Sequence, residues 1–159
     1  MEIRIGHGFD VHPFEGGRPL RLGGVTIPHE VGLKGHSDAD VLLHALSDAI
    51  LGALSWGDIG KWFPDTEKQY AGIDSVRLLD QIWVKVAAEG WQLINCDSVI
   101  LAEKPKLLSY VPEMQKIIAA TLQSDPTRIG IKATTTEKLG FVGREEGIAA
   151  SSVVLLQKK

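Results

Sequence analysis

The chain opens on Met1-Glu2-Ile3-Arg4-Ile5-Gly6, a mix of apolar and charged residues that reads as a strand and contains no long apolar run. That strand is expected to end near Val11-His12-Pro13, because proline supplies no donor to a sheet ladder. Glu15-Gly16-Gly17-Arg18 is turn-like. Leu20-Arg21-Leu22 and Val25-Thr26-Ile27 flank Gly23-Gly24 and predict a hairpin whose glycines are free to take positive φ. Leu42, Leu46, Ile50 and Leu54 recur at helical spacing and predict a helix over 39–54, capped by Ser37 or Asp38. A second helix is predicted over 74–89, capped by Asp74 or Ser75 and stopped by Gly90. Residues 92–103 are rich in Val, Ile and Leu and read as a strand. A third helix starts at Pro112 and carries Met114, Ile117, Ile118 and Leu122. Strands follow at 128–133 and 148–156. This order predicts an α+β fold: a single domain over residues 1–159, a mixed β-sheet with the helices packed on one face.

Composition adds limits. A chain of 159 residues, 44% apolar and 23% charged, can bury one real core. A formal charge of −3 without long runs of either sign argues against nucleic acid as a partner. No window approaches the ~18 apolar residues that a membrane span needs, and no signal peptide is visible. The expected location is the cytoplasm, or the plastid stroma if a transit peptide has been removed. Cys96 is the only cysteine, so no internal disulfide can form. It lies in Leu93-Ile94-Asn95-Cys96 and reads as a core residue rather than a nucleophile.

Candidate chemistry begins at Asp10 and His12. Residues two apart on a strand point to one side, so a carboxylate and an imidazole are presented together. His44, on the first predicted helix, would supply a third ligand and leave the open fourth position of a catalytic zinc site. Asp40, His44 and Asp48 are spaced by four along that helix, so either acid could orient the imidazole. The same spacing also fits solvated acids around a satisfied buried histidine. His36 stands beside the helix N-terminus, where backbone N–H groups can bind an anion or simply be capped. His7 reads as structural, and His29, which follows Pro28 in a loop, as simply exposed. In Lys132-Ala133-Thr134-Thr135-Thr136-Glu137, hydroxyls and a carboxylate offer phosphate hydrogen bonds and a hard Mg²⁺ ligand, or only a strand end and turn. Arg144 could grip a phosphate or pair with Glu146.

Together these segments resemble one family, 2-C-methyl-D-erythritol 2,4-cyclodiphosphate synthase. The likeness is carried by Arg4-Ile5-Gly6-His7-Gly8-Phe9-Asp10-Val11-His12, His36-Ser37-Asp38 with Asp40, and His44-Ala45-Leu46. It continues through Gly57-Asp58-Ile59-Gly60, Phe63-Pro64-Asp65-Thr66, the stretch from Lys132 to Phe141, and Gly143-Arg144. The resemblance implies attack of a 2-phosphate on the nearer diphosphate phosphorus of 4-diphosphocytidyl-2-C-methyl-D-erythritol 2-phosphate. CMP leaves and a cyclic diphosphate closes, in the non-mevalonate route to isoprenoids.

It further implies Zn²⁺, one per subunit, on Asp10, His12 and His44, and a second divalent cation, Mg²⁺ or Mn²⁺, on Glu137. His36 and Thr135 match transition-state stabilisers, and Ser37 joins His36 on the erythritol phosphate. Asp58, Ile59, Gly60, Phe63, Pro64, Asp65, Thr66 and Glu67 match substrate contacts. Ala102, Glu103, Lys104, Pro105, Lys106, Leu107 and Leu108 match the cytidine pocket. Thr134 and Thr136 fall along the phosphates, with Phe141 and Arg144 at remaining substrate positions. The family is a homotrimer with active sites between subunits. Its central cavity can hold isoprenoid diphosphates, and Phe9, Arg144 and Glu146 match positions around it. Glu67 stands where aspartate is frequent, and Leu107 where methionine is, and both changes keep the chemical character. A zinc hydrolase and a non-enzymatic sensor of isoprenoid diphosphates are the rival readings.

Overall fold

In the computed structural model, which describes residues 1–159, the first strand, β1 (Ile3–Glu15), runs on past Pro13, where the sequence predicts its end. Pro13 pairs with Gly147 at the end of the ladder and has no need of a donor there. Its carbonyl accepts from the Lys34 N–H at 2.8 Å, and the next N–H, of Phe14, donates to the Glu146 carbonyl at 2.9 Å. The hairpin forms as expected from β2 (Leu20–Leu22) and β3 (Val25–Ile27). Gly23 and Gly24 take φ of 59° and 79° in its two-residue turn, a conformation that matches strand twist and favours glycine. A short β4 (Gly32–Leu33) returns the chain to the end of β1.

Two main helices follow, α1 (Val41–Ala53) and α3 (Ser75–Ala88), with the single turn α2 (Ile59–Trp62) between them. The chain then runs through β5 (Trp91–Leu101), α4 (Val111–Thr121), β6 (Ile129–Thr134), the short α5 (Gly140–Gly143) and β7 (Gly147–Lys158). The five-stranded sheet has the order β4-β1-β7-β5-β6. Only the β5–β6 pair is parallel, so the sheet is mixed and the architecture α+β.

The cap of α1 is Asp40 rather than Ser37 or Asp38. Its carboxylate accepts from the backbone N–H of Leu43 at 3.1 Å, and also from Gly23 at 2.9 Å and Gly24 at 2.8 Å. One acid thus caps the helix and fastens the hairpin turn to it. Asp38 is used elsewhere, accepting from the N–H groups of Ser75 and Asp40 at 3.0 and 3.1 Å. Burial raises the pKa of Asp40, with help from neighbouring Asp38, although its three N–H donors favour the ionised form.

Helix α1 is buried along nearly its whole length and lies directly on β1 and β7. Contact is this close because β1 offers glycines where the helix offers alanines. A Cβ on Gly6 would overlap the Ala49 carbonyl, and one on Gly8 the Ala45 carbonyl. The other face of β1 carries Ile3, Ile5, Phe9 and Val11, all exposed. Cys96 sits in the core, and burial, then the charge of Asp97, pushes its thiol up to about 12 against an ordinary 9.0. The fold therefore favours the neutral thiol. Its contribution to stability is complete below pH 9 and declines as pH rises from there toward 12. Native protein at pH 8 is expected to resist iodoacetamide, with stoichiometric alkylation only in denaturant. Rapid native alkylation would place Cys96 outside the core.

Candidate active site

The glycine–alanine contact sets the distance between β1 and α1, and so the distance between residues the sequence places 34 apart. Asp10 and His12 leave β1 on its helix side, and His44 comes from the first turn of α1. The Asp10 Oδ2 lies 2.9 Å from His12 Nε2 and 3.2 Å from His44 Nδ1, and the two nitrogens are 3.1 Å apart. One carboxylate oxygen and two ring nitrogens thus converge within hydrogen-bond range of each other.

Each ring's second nitrogen shows which one faces the centre. His12 Nδ1 is 2.8 Å from the Lys34 carbonyl, which can only accept, so Nδ1 carries the hydrogen and Nε2 is the free ligand atom. His44 Nε2 is 2.9 Å from the Ser75 hydroxyl. That hydroxyl donates its only proton to Asp38, so it accepts from His44. Nδ1 of His44 is thereby left unprotonated toward Asp10 and His12. A Ser37 hydroxyl 3.1 Å from His44 Nε2 flanks the same bond.

The sequence proposes Asp40 and Asp48 for this orienting task, and the structure corrects both. Asp40 is occupied by three backbone N–H groups, and Asp48 accepts from the Ile59 N–H at 2.8 Å. The orienting carboxylate is Asp38, acting through Ser75. Ser75 escapes sequence reading because nothing in its spacing connects the start of α3 to His44. Arg18 is missed likewise: its guanidinium donates to the carbonyls of Gly35 and Ser37 at 2.7 and 2.6 Å and fixes the segment holding His36.

The donor set fits a divalent cation. Zinc–nitrogen bonds of about 2.0–2.1 Å in a tetrahedron put ligand atoms about 3.3 Å apart, close to the separations found here. Two imidazole lone pairs and a carboxylate facing one point call for positive charge between them. The electrostatics agree on the carboxylate. Burial opposes its charge, but hydrogen bonds and attraction from His12 and His44 prevail and hold Asp10 at about 2. Burial pulls His12 down, but contact with Asp10, the Lys34 carbonyl and the charge of Asp40 together raise it above its ordinary value. Asp48 is raised, by burial first and then by Asp58 and Asp10, against the Ile59 N–H.

Asp10, His12 and His44 line a cavity of about 400 Å³ together with His36, Ser37, Ile59, Gly60, Phe63, Pro64, Asp65 and Thr66. His36 Nε2 lies 3.2 Å from the Glu67 carbonyl and so joins the two rims. Asp58 caps α2 through the Lys61 N–H at 2.9 Å. Ala102, Glu103, Pro105, Lys106, Leu107, Leu108, Thr134 and Thr135 line a different cavity, of about 210 Å³. Lys104 pairs instead with Glu145 at 3.3 Å, and Arg144 with Glu146 at 2.9 Å. Thr136, Glu137 and Phe141 line neither cavity. Within one chain the two groups stay apart, since β1 and β6 are three places distant in the sheet, about 14 Å at ordinary strand spacing.

If His44 holds a divalent cation, the serine that sets its tautomer should matter for affinity. Ser75→Ala is then expected to weaken binding of a cation such as zinc about 10- to 100-fold, the usual cost of losing such a partner. Competition with a zinc-sensitive dye checks it, and unchanged affinity would show that Ser37 suffices.

The YgbB family profile matches residues 3–157. The chain belongs to the YgbB family. Its curated YgbB relatives include 2-C-methyl-D-erythritol 2,4-cyclodiphosphate synthase of Geobacillus thermodenitrificans, 59% identical over 98% of both chains. The same enzyme of Geobacter sulfurreducens is 58% identical over 99% of this chain and 100% of its own. Solved relatives agree. The bifunctional IspDF of Campylobacter jejuni superposes with a TM-score of 0.95 at 52% identity, and this chain, matched over 99% of its length, spans 43% of that protein. Plasmodium falciparum IspF in its CDP complex gives 0.87 at 33% identity, over 99% and 97% of the two chains. No helix of this YgbB member is long and apolar enough to cross a membrane.

Proposed function

We propose that this chain converts 4-diphosphocytidyl-2-C-methyl-D-erythritol 2-phosphate to 2-C-methyl-D-erythritol 2,4-cyclodiphosphate, with release of CMP. The reaction class follows from kinship: near-full-length relatives at 56–59% identity are 2-C-methyl-D-erythritol 2,4-cyclodiphosphate synthases, phosphorus–oxygen lyases of isoprenoid precursor synthesis. The observation that carries the mechanism is the convergence of Asp10, His12 and His44 at a cavity bounded by His36, Ser37 and residues 59–66.

An oxygen of the 2-phosphate bonds to the diphosphate phosphorus nearer the erythritol, the bond from that phosphorus to the CMP oxygen breaks, and no water is consumed. The nucleophile is already an anion, so the chain has no need of a strong general base. Its task is position and charge neutralisation. Zn²⁺ on Asp10, His12 and His44, with Mg²⁺ or Mn²⁺ held by Glu137, would supply Lewis acidity and align the phosphates when bound. His36 and Ser37 hold the erythritol phosphate, and the Thr135 hydroxyl donates to charge developing at the reacting phosphorus. The 63–67 loop covers the site and keeps out water that would otherwise hydrolyse the diphosphate. Residues 102–108 receive the cytidine, and two solved relatives are described as CDP-bound.

The separation of the two cavities supports a shared site, with one chain giving the metal pocket and a neighbour the cytidine loop. The uncovered face of Ile3, Ile5, Phe9 and Val11 supports the same assembly, a homotrimer packed around its sheets. On this reading Phe9, Arg144 and Glu146 border a central cavity for an isoprenoid diphosphate. Phosphorus NMR of the protein with substrate and Mg²⁺ tests the reaction. CMP with two coupled signals of a cyclic diphosphate is expected. Open-chain phosphates would establish a hydrolase instead, and an unchanged spectrum from zinc-loaded protein would favour a sensor.

A further inference from the structure

Glu137 stands in a turn that its residue types do not favour. The Leu139 N–H donates to the Thr136 carbonyl at 2.9 Å, closing a four-residue turn whose central residues, Glu137 and Lys138, have φ of 54° and 62°. Positive φ at both central positions ordinarily selects Asn-Gly, and L-residues with long side chains avoid it. Such conformations persist only where the surroundings impose them. The surroundings here are specific. Gly143 packs its backbone against the Lys138 main chain so closely that a Cβ would overlap it. On the other side one oxygen of Glu103, Oε1, accepts from the Lys138 N–H at 2.8 Å and from the Thr136 N–H at 3.3 Å. The Thr136 hydroxyl lies 3.4 Å from the same oxygen but donates to the Leu139 carbonyl at 2.7 Å.

Glu103 follows directly on Ala102, whose N–H donates to the Thr134 carbonyl at 3.0 Å as the last rung between β5 and β6. Its side chain therefore crosses from the start of the 102–108 loop to the turn that presents Glu137. We infer that Glu103 is a positioning residue that locks the Thr136–Leu139 turn in its left-handed form, so that the loop for the base and the carboxylate for the second cation move as one unit. The inference rests on the reading of Glu137 as the holder of that cation. It gives Glu103 a role beside contact with cytidine: its Oε1, which accepts two backbone N–H groups, is committed to its own chain. Only the acceptor oxygen matters for such a lock, because N–H groups bond a neutral amide oxygen as well as a carboxylate, though less strongly.

The test is a set of three variants in zinc-loaded protein, Glu103→Ala, Glu103→Gln and Glu137→Ala. Mn²⁺ is titrated by electron paramagnetic resonance with CDP present, and kcat and KM are measured with the full substrate. Glu103→Ala is expected to weaken Mn²⁺ about 10- to 100-fold, as loss of a ligand's supporting partner does. kcat should fall with it, while zinc content and thermal midpoint stay as in the parent. Glu103→Gln should restore most of both losses. If Glu103→Gln is as impaired as Glu103→Ala, the charge itself is needed and the lock is refuted. If Glu137→Ala weakens Mn²⁺ and Glu103→Ala does not, the positioning role is refuted alone. If Glu137→Ala leaves Mn²⁺ binding intact, the assignment of Glu137 to the second cation fails, and the role of Glu103 falls with it.

Discussion

His44→Ala protein is expected to purify without zinc and to lose turnover on the order of 10³-fold, the loss typical when a group that stabilises developing charge is removed. On the proposed reading His44 supplies one of three protein ligands, and it also anchors the Ser75–Asp38 chain and flanks Ser37. Its removal leaves Asp10 and His12 as a two-point site on one strand, and two points do not hold zinc against water. The measurement is metal content by mass spectrometry alongside the rate of CMP release. Normal turnover in zinc-free His44→Ala protein would overturn the metal assignment. An intact thermal midpoint distinguishes loss of the ion from loss of the fold.

Gly8→Val is expected to be among the most damaging substitutions, although residue 8 does not line the cavity. A side chain there would collide with the Ala45 carbonyl, a backbone atom that cannot rotate away, so α1 must lift from β1. Overpacking costs about 1–3 kcal/mol, and more where backbone must shift. The same lift separates His44 from Asp10 and His12, so zinc affinity should fall together with the urea midpoint. A stable Gly8→Val protein that binds zinc normally would show that the helix has freedom the contact denies it. The mirror change, Ala45→Gly on the helix, removes a methyl rather than adding one, and should spare the geometry while weakening the helix by roughly 1 kcal/mol.

Much of this was legible in the sequence, and the reasons differ by residue. Periodicity placed α1 and α3 within two residues, and Gly23-Gly24 placed the hairpin, because these signals are local. Asp10 and His12 were visible because two-residue spacing on a strand is a local fact too. Their meeting with His44 needed the register of helix on strand, which motif resemblance supplied and spacing alone did not. What orients His44 is hidden from the sequence for a related reason. Spacing by four puts Asp40 and Asp48 on the side of α1 that carries His44, but it cannot reveal that a hairpin turn and the start of α2 claim those carboxylates first. Ser75 and Arg18 were invisible because their roles depend on contacts with residues 31 and 19 positions away. Pro13 does not end the strand, because a proline at the last rung of a ladder lacks a donor that the ladder does not need.

The pairing of the first strand with the last has a topological consequence. Ile3 faces Gln157, and the Lys158 N–H donates to the Glu2 carbonyl at 2.9 Å, so the two chain ends lie side by side. From Ile3 to Asp10 the strand rises about 23 Å, which sets both ends well away from the Asp10–His12–His44 cluster. A short bridge across them would turn β7 and β1 into an ordinary hairpin, and new ends could be opened at the exposed Gly16-Gly17. Such a circular permutant keeps every strand neighbour and every ligand in place. What it alters is the order in which a ribosome would deliver them, with His44 emerging before Asp10 and His12.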